Sequence, residues 1–356
     1  MKMFKPPLFA AGFVHPGNQL IKFFLFVLFF IPASAFPSLA AAENQVAQKP
    51  GETVEQEAGF YYTVKKGDTL WDLSQRFSDT PWVWPDLWEE NKQIPNPHWI
   101  YPGNRIRLYH KGWVRRLDKP AEVPVADEPV YFVYKNIDMV GFIRREAVSP
   151  SAVIFKSKHD KVLVNEGDIV YLRKEKESNF TPGSRYTVYR TLPEINDHNT
   201  GSYIGIQHYL TGIVEILKDE GKFVLAKVTQ SPRAIEIGDK LMPYTRKAYE
   251  IPVVKSKDGI SGKVIVSEEH QDIFSEYDIA FFDKGKTDGI QLGQMYSLFQ
   301  QEEASPDPET KEKVLLTSDD FGEVFVLHTE ETTSTVIITK SRDYATVEAM
   351  IRSPLN

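Results

Sequence analysis

The 356-residue chain contains no cysteine, and this absence excludes several kinds of protein. The chain can form no disulfide bond, and it cannot be a lipoprotein, because a lipoprotein carries its lipid on a cysteine. Peptidases and transpeptidases that attack with a thiol are excluded for the same reason. The eight histidines are scattered with no H-x-H pair, so the clustered ligands of a zinc peptidase are missing as well.

An excess of positive charge is also absent. The formal net charge is −7 at pH 7, with a pI of about 5.7, which argues against nucleic acid as a partner. The serine-hydrolase pattern Gly-x-Ser-x-Gly does not occur. No long amphipathic helix is predicted after residue 130. Because a lysozyme-like catalytic domain is helical, this absence argues against such a domain. We therefore expect no catalysis, no cofactor and no metal site.

The N-terminus has the three parts of an export signal. Lysines precede an apolar run over residues 23–31, which ends at Pro32, and small residues then continue to Ala42. This order predicts a signal peptide over residues 1–42. The apolar run is short for a membrane span, but no charge interrupts residues 23–42, so an uncleaved membrane anchor remains an alternative. The expected location is the envelope, in particular the periplasm, of a Gram-negative bacterium, with the membrane as a partner only if the segment is retained.

Residues 61–65 form a predicted β-strand that runs into a Gly-Asp-Thr turn. Gly67 suits a turn position with positive φ. Asp68 and Thr69 precede a helical pattern, so their side-chain oxygens are expected to accept hydrogen bonds from the first-turn amides.

Leu70, Leu73 and Phe77 recur at helical spacing, and a second helix is predicted to end near Asn91. A Pro-Gly turn then leads into a strand over residues 105–108. The order strand-helix-helix-strand resembles a LysM domain, a small fold that binds glycans built from N-acetylglucosamine. The resemblance implies a shallow groove between the two loops that flank the helices. By position, its walls are Gly67, Asp68, Thr69 and Leu70, with Trp71 beside them, and Pro97, His98, Trp99 and Ile100.

Five of the six tryptophans lie in this segment: Trp71, Trp82, Trp84, Trp88 and Trp99. They can stack on sugars, or they can form the core of a module too small to bury much else. The core interpretation is favoured for Trp82, Trp84 and Trp88, while Trp71 and Trp99 are equally suited to either role. His98 is expected to be a hydrogen-bonding loop residue and no catalytic group.

Composition divides the remainder of the chain. Residues 43–59 are polar and predict a flexible linker, residues 60–110 are the LysM domain, and residues 111–129 form a proline-rich linker. From residue 130 onward, short runs rich in Val, Ile, Tyr, Phe and Thr predict strands. The expected fold is thus multidomain: a small α+β module (βααβ) followed by a mainly-β region.

A weak internal repeat suggests two similar β domains, at residues 130–246 and 247–356. Residues 168–172, 186–189, 212–217 and 224–229 resemble residues 278–282, 296–299, 322–327 and 336–341, in the same order. The alternative is chance similarity between two β-rich segments. The glycine-rich stretch 283–293 is loosely similar to a turn in β domains of periplasmic proteins associated with flagella or secretion. A strand follows it, so a hairpin turn is favoured over a phosphate loop, which would open a helix.

Two functional hypotheses follow from the sequence. In the first, the chain is a non-catalytic protein that binds peptidoglycan glycan strands, and its β domains dock an envelope protein or act as a scaffold. In the second, the β region is an unrecognised cell-wall hydrolase, or a regulator of one.

Overall fold

The computed structural model describes residues 58–78, 80–108, 130–175, 179–306, 313–347 and 349–354. These residues belong to one compact unit. The predicted signal peptide, residues 43–57 of the predicted flexible linker and the proline-rich linker at 111–129 lie outside the described residues.

The first elements are those of the predicted LysM segment. Strand β1 (Ala58–Thr63) is followed by helix α1 (Leu70–Ser78), a 3₁₀ helix (Pro81–Val83), helix α2 (Trp84–Glu89) and strand β2 (Arg105–Arg107). Strands β1 and β2 are antiparallel, with Tyr62 opposite Ile106. The predicted order of strand, two helices and strand is confirmed.

The sheet of this segment continues into the rest of the chain. Strand β3 (Tyr131–Tyr134) pairs with β1, and β13 (Glu250–Pro252) pairs with β3. The resulting four-stranded sheet has the order β13-β3-β1-β2. Strands therefore pair across the positions at which the sequence predicts linkers and domain boundaries.

The remaining strands belong to the β region. In the first half of this region they are β4 (Phe142–Arg144), β5 (Ala152–Ser157), β6 (Leu163–Val164), β7 (Ile169–Lys174), β8 (Arg185–Asn196), β9 (Tyr203–Asp219), β10 (Val224–Gln230), β11 (Ile235–Glu236) and β12 (Lys240–Pro243). In the second half they are β14 (Ser261–Ser267), β15 (Ile273–Phe274), β16 (Ile279–Phe282), β17 (Met295–Gln300), β18 (Glu303–Ala304), β19 (Val314–Leu315), β20 (Asp319–Thr329), β21 (Ser334–Ser341), β22 (Ala345–Thr346) and β23 (Met350–Arg352). Short 3₁₀ helices lie at Ile137–Met139 and Lys286–Asp288.

Six strands of the second half form a closed barrel in the order β14-β16-β21-β20-β17-β23. In the first half, β5, β7, β10, β9, β8 and β12 pair in turn, and β12 pairs back to β5. We refer to these two sets of strands as the barrel and the ring. The mainly-β architecture is confirmed.

A long hairpin connects the ring to the barrel. The outer end of β8 and β9, residues 191–208, is termed the first arm. Ile195 and Ile204 of this arm pack with Ile265 and Phe281 of the barrel. Lys263 of the barrel also forms an ion pair with Asp197, which follows β8, at 2.8 Å. Strand β4 runs beside the arm, with Phe142 opposite His208.

One hydrophobic cluster joins the LysM segment to the barrel. Phe60 of β1, Phe132 of β3 and Phe325 of β20 are all buried, with ring centroids 4.6 to 5.9 Å apart. Apolar residues of α1 and α2 belong to the same cluster. The LysM segment therefore shares its core with the β region.

Candidate functional site

The two loops that the sequence predicts as groove walls leave the sheet side by side. We call residues 64–69 the first loop and residues 95–104 the second loop. The backbone N–H of Val64 donates to the carbonyl of Asn104 at 2.8 Å, and the N–H of Gly103 donates to the carbonyl of Val64 at 2.8 Å. These bonds hold the start of one loop against the end of the other, and we call the space between the loops the cleft.

The first loop is a turn closed by a carboxylate. Gly67 has a φ of 99°, a conformation that favours glycine. One oxygen of Asp68 accepts hydrogen bonds from the backbone N–H of Lys65 at 2.7 Å and from the hydroxyl of Tyr62 at 2.9 Å. Burial, together with the hydrogen bond to Asp68, raises the pKa of Tyr62 to about 12, so this phenol remains a proton donor at neutral pH.

Helix α1 is capped by Thr69. Its Oγ1 accepts from the backbone N–H of Asp72 at 3.1 Å, and its carbonyl accepts from the N–H of Leu73 at 2.9 Å. The capping role expected of Asp68 is wrong, because its carboxylate turns back to Lys65.

Asparagine side chains hold the second loop in place. Asn96 accepts from the backbone N–H of His98 through its side chain and from that of Trp99 through its carbonyl, both at 3.0 Å. Asn104 accepts from the backbone N–H of Tyr101 at 2.8 Å. Such local bonds fix a loop without a regular element.

The predicted wall residues differ in what they can offer a ligand. Trp99 is 65% exposed, and His98 is exposed as well. Leu70 is buried, and Ile100 packs partly buried against the core. Leu70 can therefore offer only its backbone to a bound glycan. Tyr101, which no pattern in the sequence indicates, is 62% exposed in the second loop.

The tryptophans divide into two groups. Trp84 and Trp88 pack against the core, and the indole N–H of Trp88 donates to the carbonyl of Ile94 at 2.8 Å. Trp82 is 75% exposed, so its assignment to the core is wrong. Its ring meets that of Trp71, itself 42% exposed, edge to face at a centroid distance of 4.9 Å. The sequence signal for this exposure is Pro81, which opens a separate 3₁₀ turn outside the two apolar helix stripes.

Asn91 fixes the end of α2 to β2. Its amide nitrogen donates to the carbonyls of Leu87 and Arg107, and its oxygen accepts from the N–H of Arg107, all at 2.7 Å. The side chain is fully buried, so these bonds set the base from which the second loop starts.

The most buried carboxylates of the β region are paired with arginines. Glu268 is 2% exposed; it accepts from Arg233 at 2.6 Å and from the backbone N–H of Gly141 at 2.7 Å. Burial raises its pKa. Glu330 accepts two bonds from Arg144 and one from His328. Charge pairs such as Glu268-Glu269 are usually solvated; here Glu268 is buried, and its bonds join the end of β14 to the first half of the β region.

No group of three His, Asp or Glu side chains suited to hold a metal ion occurs within the part of the chain that the structure describes. Neither helix among these residues has the length and the apolar character needed to cross a membrane.

Sequence comparisons support the resemblance of this segment to a LysM domain. An uncharacterized protein, YqbP, of Bacillus subtilis (strain 168) is 42% identical over 57 residues, which cover 13% of this chain and 26% of that protein. The chain thus spans about a quarter of the length of this curated relative. Residues 62–108 match the family model described as LysM domain, a domain that binds peptidoglycan and related glycans of N-acetylglucosamine.

Proposed function

We propose that this chain is an exported, non-catalytic protein of the cell envelope that holds peptidoglycan strands in the cleft of its LysM segment. The side-by-side loops carry this proposal, because they bring the two predicted sets of wall residues to the same end of the sheet. The glycan contacts are Gly67, Asp68, Thr69, Leu70 and Trp71 on one wall and Pro97, His98, Trp99 and Ile100 on the other.

The chemistry of the loops suits an amino sugar. Backbone amides and carbonyls can hydrogen-bond the acetamido group, and an exposed indole such as that of Trp99 can pack on the CH face of a sugar ring. A shallow, open site of this kind gives weak binding for each domain. Stable attachment to a polymeric wall then depends on several contacts acting together.

We also infer that residues 130–246 and 247–356 are two copies of one β fold. The ring and the barrel pair their strands in equivalent orders. The order is β5-β7-β10-β9-β8-β12 in the ring and β14-β16-β21-β20-β17-β23 in the barrel. A small two-stranded pair follows the same pattern in each half, β6 with β11 and β15 with β22.

The β region acts as an interaction or scaffold module, with an envelope protein as its partner. The bonding of Glu268 and Glu330 supports a non-catalytic role, because both carboxylates are used in ion pairs with arginines. A general acid or base would need access to a substrate.

Co-sedimentation of the full chain with purified sacculi tests the cleft. Gly67→Val forces a β-branched residue to a φ of 99° in open space, and we expect it to distort the first loop and lower retention. Gly221→Val is the matched control, since Gly221 has a φ of 81°, also in open space, in a turn of the ring. Retention equal to the native chain for Gly67→Val would contradict the cleft assignment.

The hydrolase hypothesis is tested by measuring whether the chain releases soluble products from sacculi. After incubation of sacculi with the native chain, we expect no soluble muropeptides above the level of a protein-free sample. Their release would show that the β region is catalytic, whatever the cleft variants do.

A further inference from the structure

Within the chain, the first arm of one copy of the β fold packs on the barrel of the other copy. Ile204 of the arm packs on a patch that includes Ile265 of β14 and Phe281 of β16, both buried. This contact joins the two halves of the β region within the chain.

The pairing registers identify the equivalent patch on the ring. β5 and β14 each carry a bulge against the next strand, between Ile154 and Lys156 in one and between Val264 and Val266 in the other. The bulged residue is Phe155 in the ring and Ile265 in the barrel. In the ring, the residue before the bulge pairs with Leu172 and the residue after it pairs with Tyr171. In the barrel, the corresponding partners are Phe282 and Phe281. Phe155 and Tyr171 therefore occupy the positions of the arm-covered residues Ile265 and Phe281.

The patch on the ring is aromatic, with Phe155 exposed and Tyr171 and Phe223 half-buried. Phe155 is 43% exposed, and its ring lies 6.2 Å from that of Tyr171, which in turn lies 5.7 Å from Phe223. We call Phe155, Tyr171 and Phe223 the ring face. Its counterpart on the barrel is buried beneath the first arm.

The barrel has its own hairpin at the position of the first arm. Strands β18 and β19 extend the β17–β20 hairpin, and we call them, with Leu316, the second arm. The sequence that begins at Gly212 in β9 matches the sequence that begins at Gly322 in β20. The numbering difference between these two glycines also relates Ile204 of the first arm to Val314 of the second arm. Ile204 is partly buried in its packing site, whereas Val314, Leu315 and Leu316 are exposed, Leu315 by 64%.

We propose that the second arm of one molecule docks on the ring face of a second copy of this chain, as the first arm docks on the barrel within one molecule. The acidic Glu302 and Glu303 are exposed at the second arm, and the basic Lys156 and Arg173 are exposed beside the ring face. Within the molecule, Glu303, Lys156 and Arg173 each form an exposed ion pair with a neighbouring residue, so docking exchanges these pairs for pairs between two molecules. This proposal uses the repeat inferred above and is independent of glycan binding.

Within one molecule the first arm docks on the barrel while the second arm and the ring face stay exposed. Repeating this one-way contact between molecules gives a heterologous interface, which does not close on itself in a pair. Each molecule keeps a free arm at one end and a free face at the other. The assembly is therefore a head-to-tail row that presents many LysM segments. Such a row would raise the avidity for a glycan polymer without any change at the cleft.

Sedimentation velocity of the full chain over a range of concentrations tests the row. We expect a mass that rises with concentration beyond a dimer. Val314→Lys on the second arm and Phe155→Lys on the ring face should each weaken self-association by about tenfold or more, since both lie at the centre of the proposed contact. Ile273→Lys is the matched control, because Ile273 is an exposed isoleucine of β15 outside both surfaces, and it should associate as the native chain does.

A mixture of the two variants gives the decisive result. The Val314→Lys molecule retains its face and the Phe155→Lys molecule retains its arm, so an equal mixture should form one-to-one dimers and nothing larger. A native chain that is monomeric at every concentration overturns the proposal. So does native association in either single variant, since that would require an arm-to-arm, face-to-face or unrelated contact.

Cross-linking provides a second readout. Because the chain lacks cysteine, a cysteine introduced by Val314→Cys and one introduced by Phe155→Cys are the only thiols in a mixture of the two proteins. A short bismaleimide should join them into a covalent dimer. No such dimer should form when Ile273→Cys replaces Phe155→Cys, and equal yields in both mixtures would count against the proposed contact.

Discussion

Trp71 and Trp82 are side chains that can contribute to glycan binding while contributing little to stability. Their rings meet edge to face at 4.9 Å, and both are substantially exposed. Trp71 lies two residues after the end of the first loop, so the pair extends the apolar surface available beside the cleft. An exposed indole adds little to the free energy of folding, but it can add a stacking contact with a sugar.

Trp82→Ala should therefore weaken glycan binding while leaving the thermal stability nearly unchanged. A stacking contact is worth about 0.5–1.5 kcal/mol, so we expect a roughly twofold to tenfold loss of affinity. Titration of the full chain with a soluble muropeptide, followed by NMR, measures the affinity. Trp88→Ala is the informative comparison, since it removes a core ring and should lower the melting temperature instead. Unchanged affinity in Trp82→Ala would remove this ring from the binding surface.

Asn91 is the opposite case, a polar residue whose whole role is internal. Asn91→Ala removes three short hydrogen bonds and leaves the N–H of Arg107 without its side-chain acceptor. We expect a loss of about 2–4 kcal/mol in the free energy of unfolding, measured by urea denaturation. Gln93→Ala, which removes one longer bond to Asn91 from a half-buried side chain, should cost far less.

At the scale of elements, the sequence predicts the LysM segment well because its signals are local. A turn glycine, a capping threonine and helical spacing of leucines lie within a few residues of one another. The ring and the barrel depend on pairings between distant strands. β5 and β14 mix Ala, Ser, Gly and Lys with apolar residues, so their runs have no clear strand pattern. The contact of the LysM segment with Phe325 has no local signal either.

Strand β4 and the β20–β21 turn are joined by a charged contact that makes stability depend on pH. Burial by itself raises the pKa of Glu330, but hydrogen bonds from His328 and Arg144 outweigh it and lower the pKa to about 2, from an ordinary 4.5. A carboxyl with a lower pKa in the folded protein stabilises the fold above its unfolded pKa. This contribution is lost as the pH falls through the folded pKa.

Glu330→Gln should consequently destabilise the protein at neutral pH, with a difference from the native chain that shrinks between about pH 4.5 and pH 2. Urea unfolding at a series of pH values measures this difference. Glu331→Gln, an exposed neighbour, is the control and should show little difference at any pH. A constant gap between native and Glu330→Gln across this range would mean that the carboxylate charge is not what the contact uses.

At the scale of the whole molecule, the LysM segment is built into the β region by a shared sheet and a shared core. β3 lies between β1 and β13, and Phe60, Phe132 and Phe325 pack together. A module on a flexible tether would unfold separately from its neighbours, whereas elements with a common core unfold together. The two cases differ in a measurable way.

Phe325→Ala in the barrel distinguishes them. Removing a fully buried phenylalanine costs about 3–5 kcal/mol, and because the ring touches Phe60 and Phe132, the cost should appear in the LysM segment too. Five of the six tryptophans lie at residues 71–99, so their fluorescence mainly reports this segment, while far-UV circular dichroism is dominated by the β region. For the native chain we expect the two thermal transitions to coincide, and for Phe325→Ala both should shift down together. Leu292→Ala, at an exposed position in the turn before β17, should shift neither. A fluorescence transition that stays in place while the circular dichroism transition moves would show that the LysM segment folds on its own.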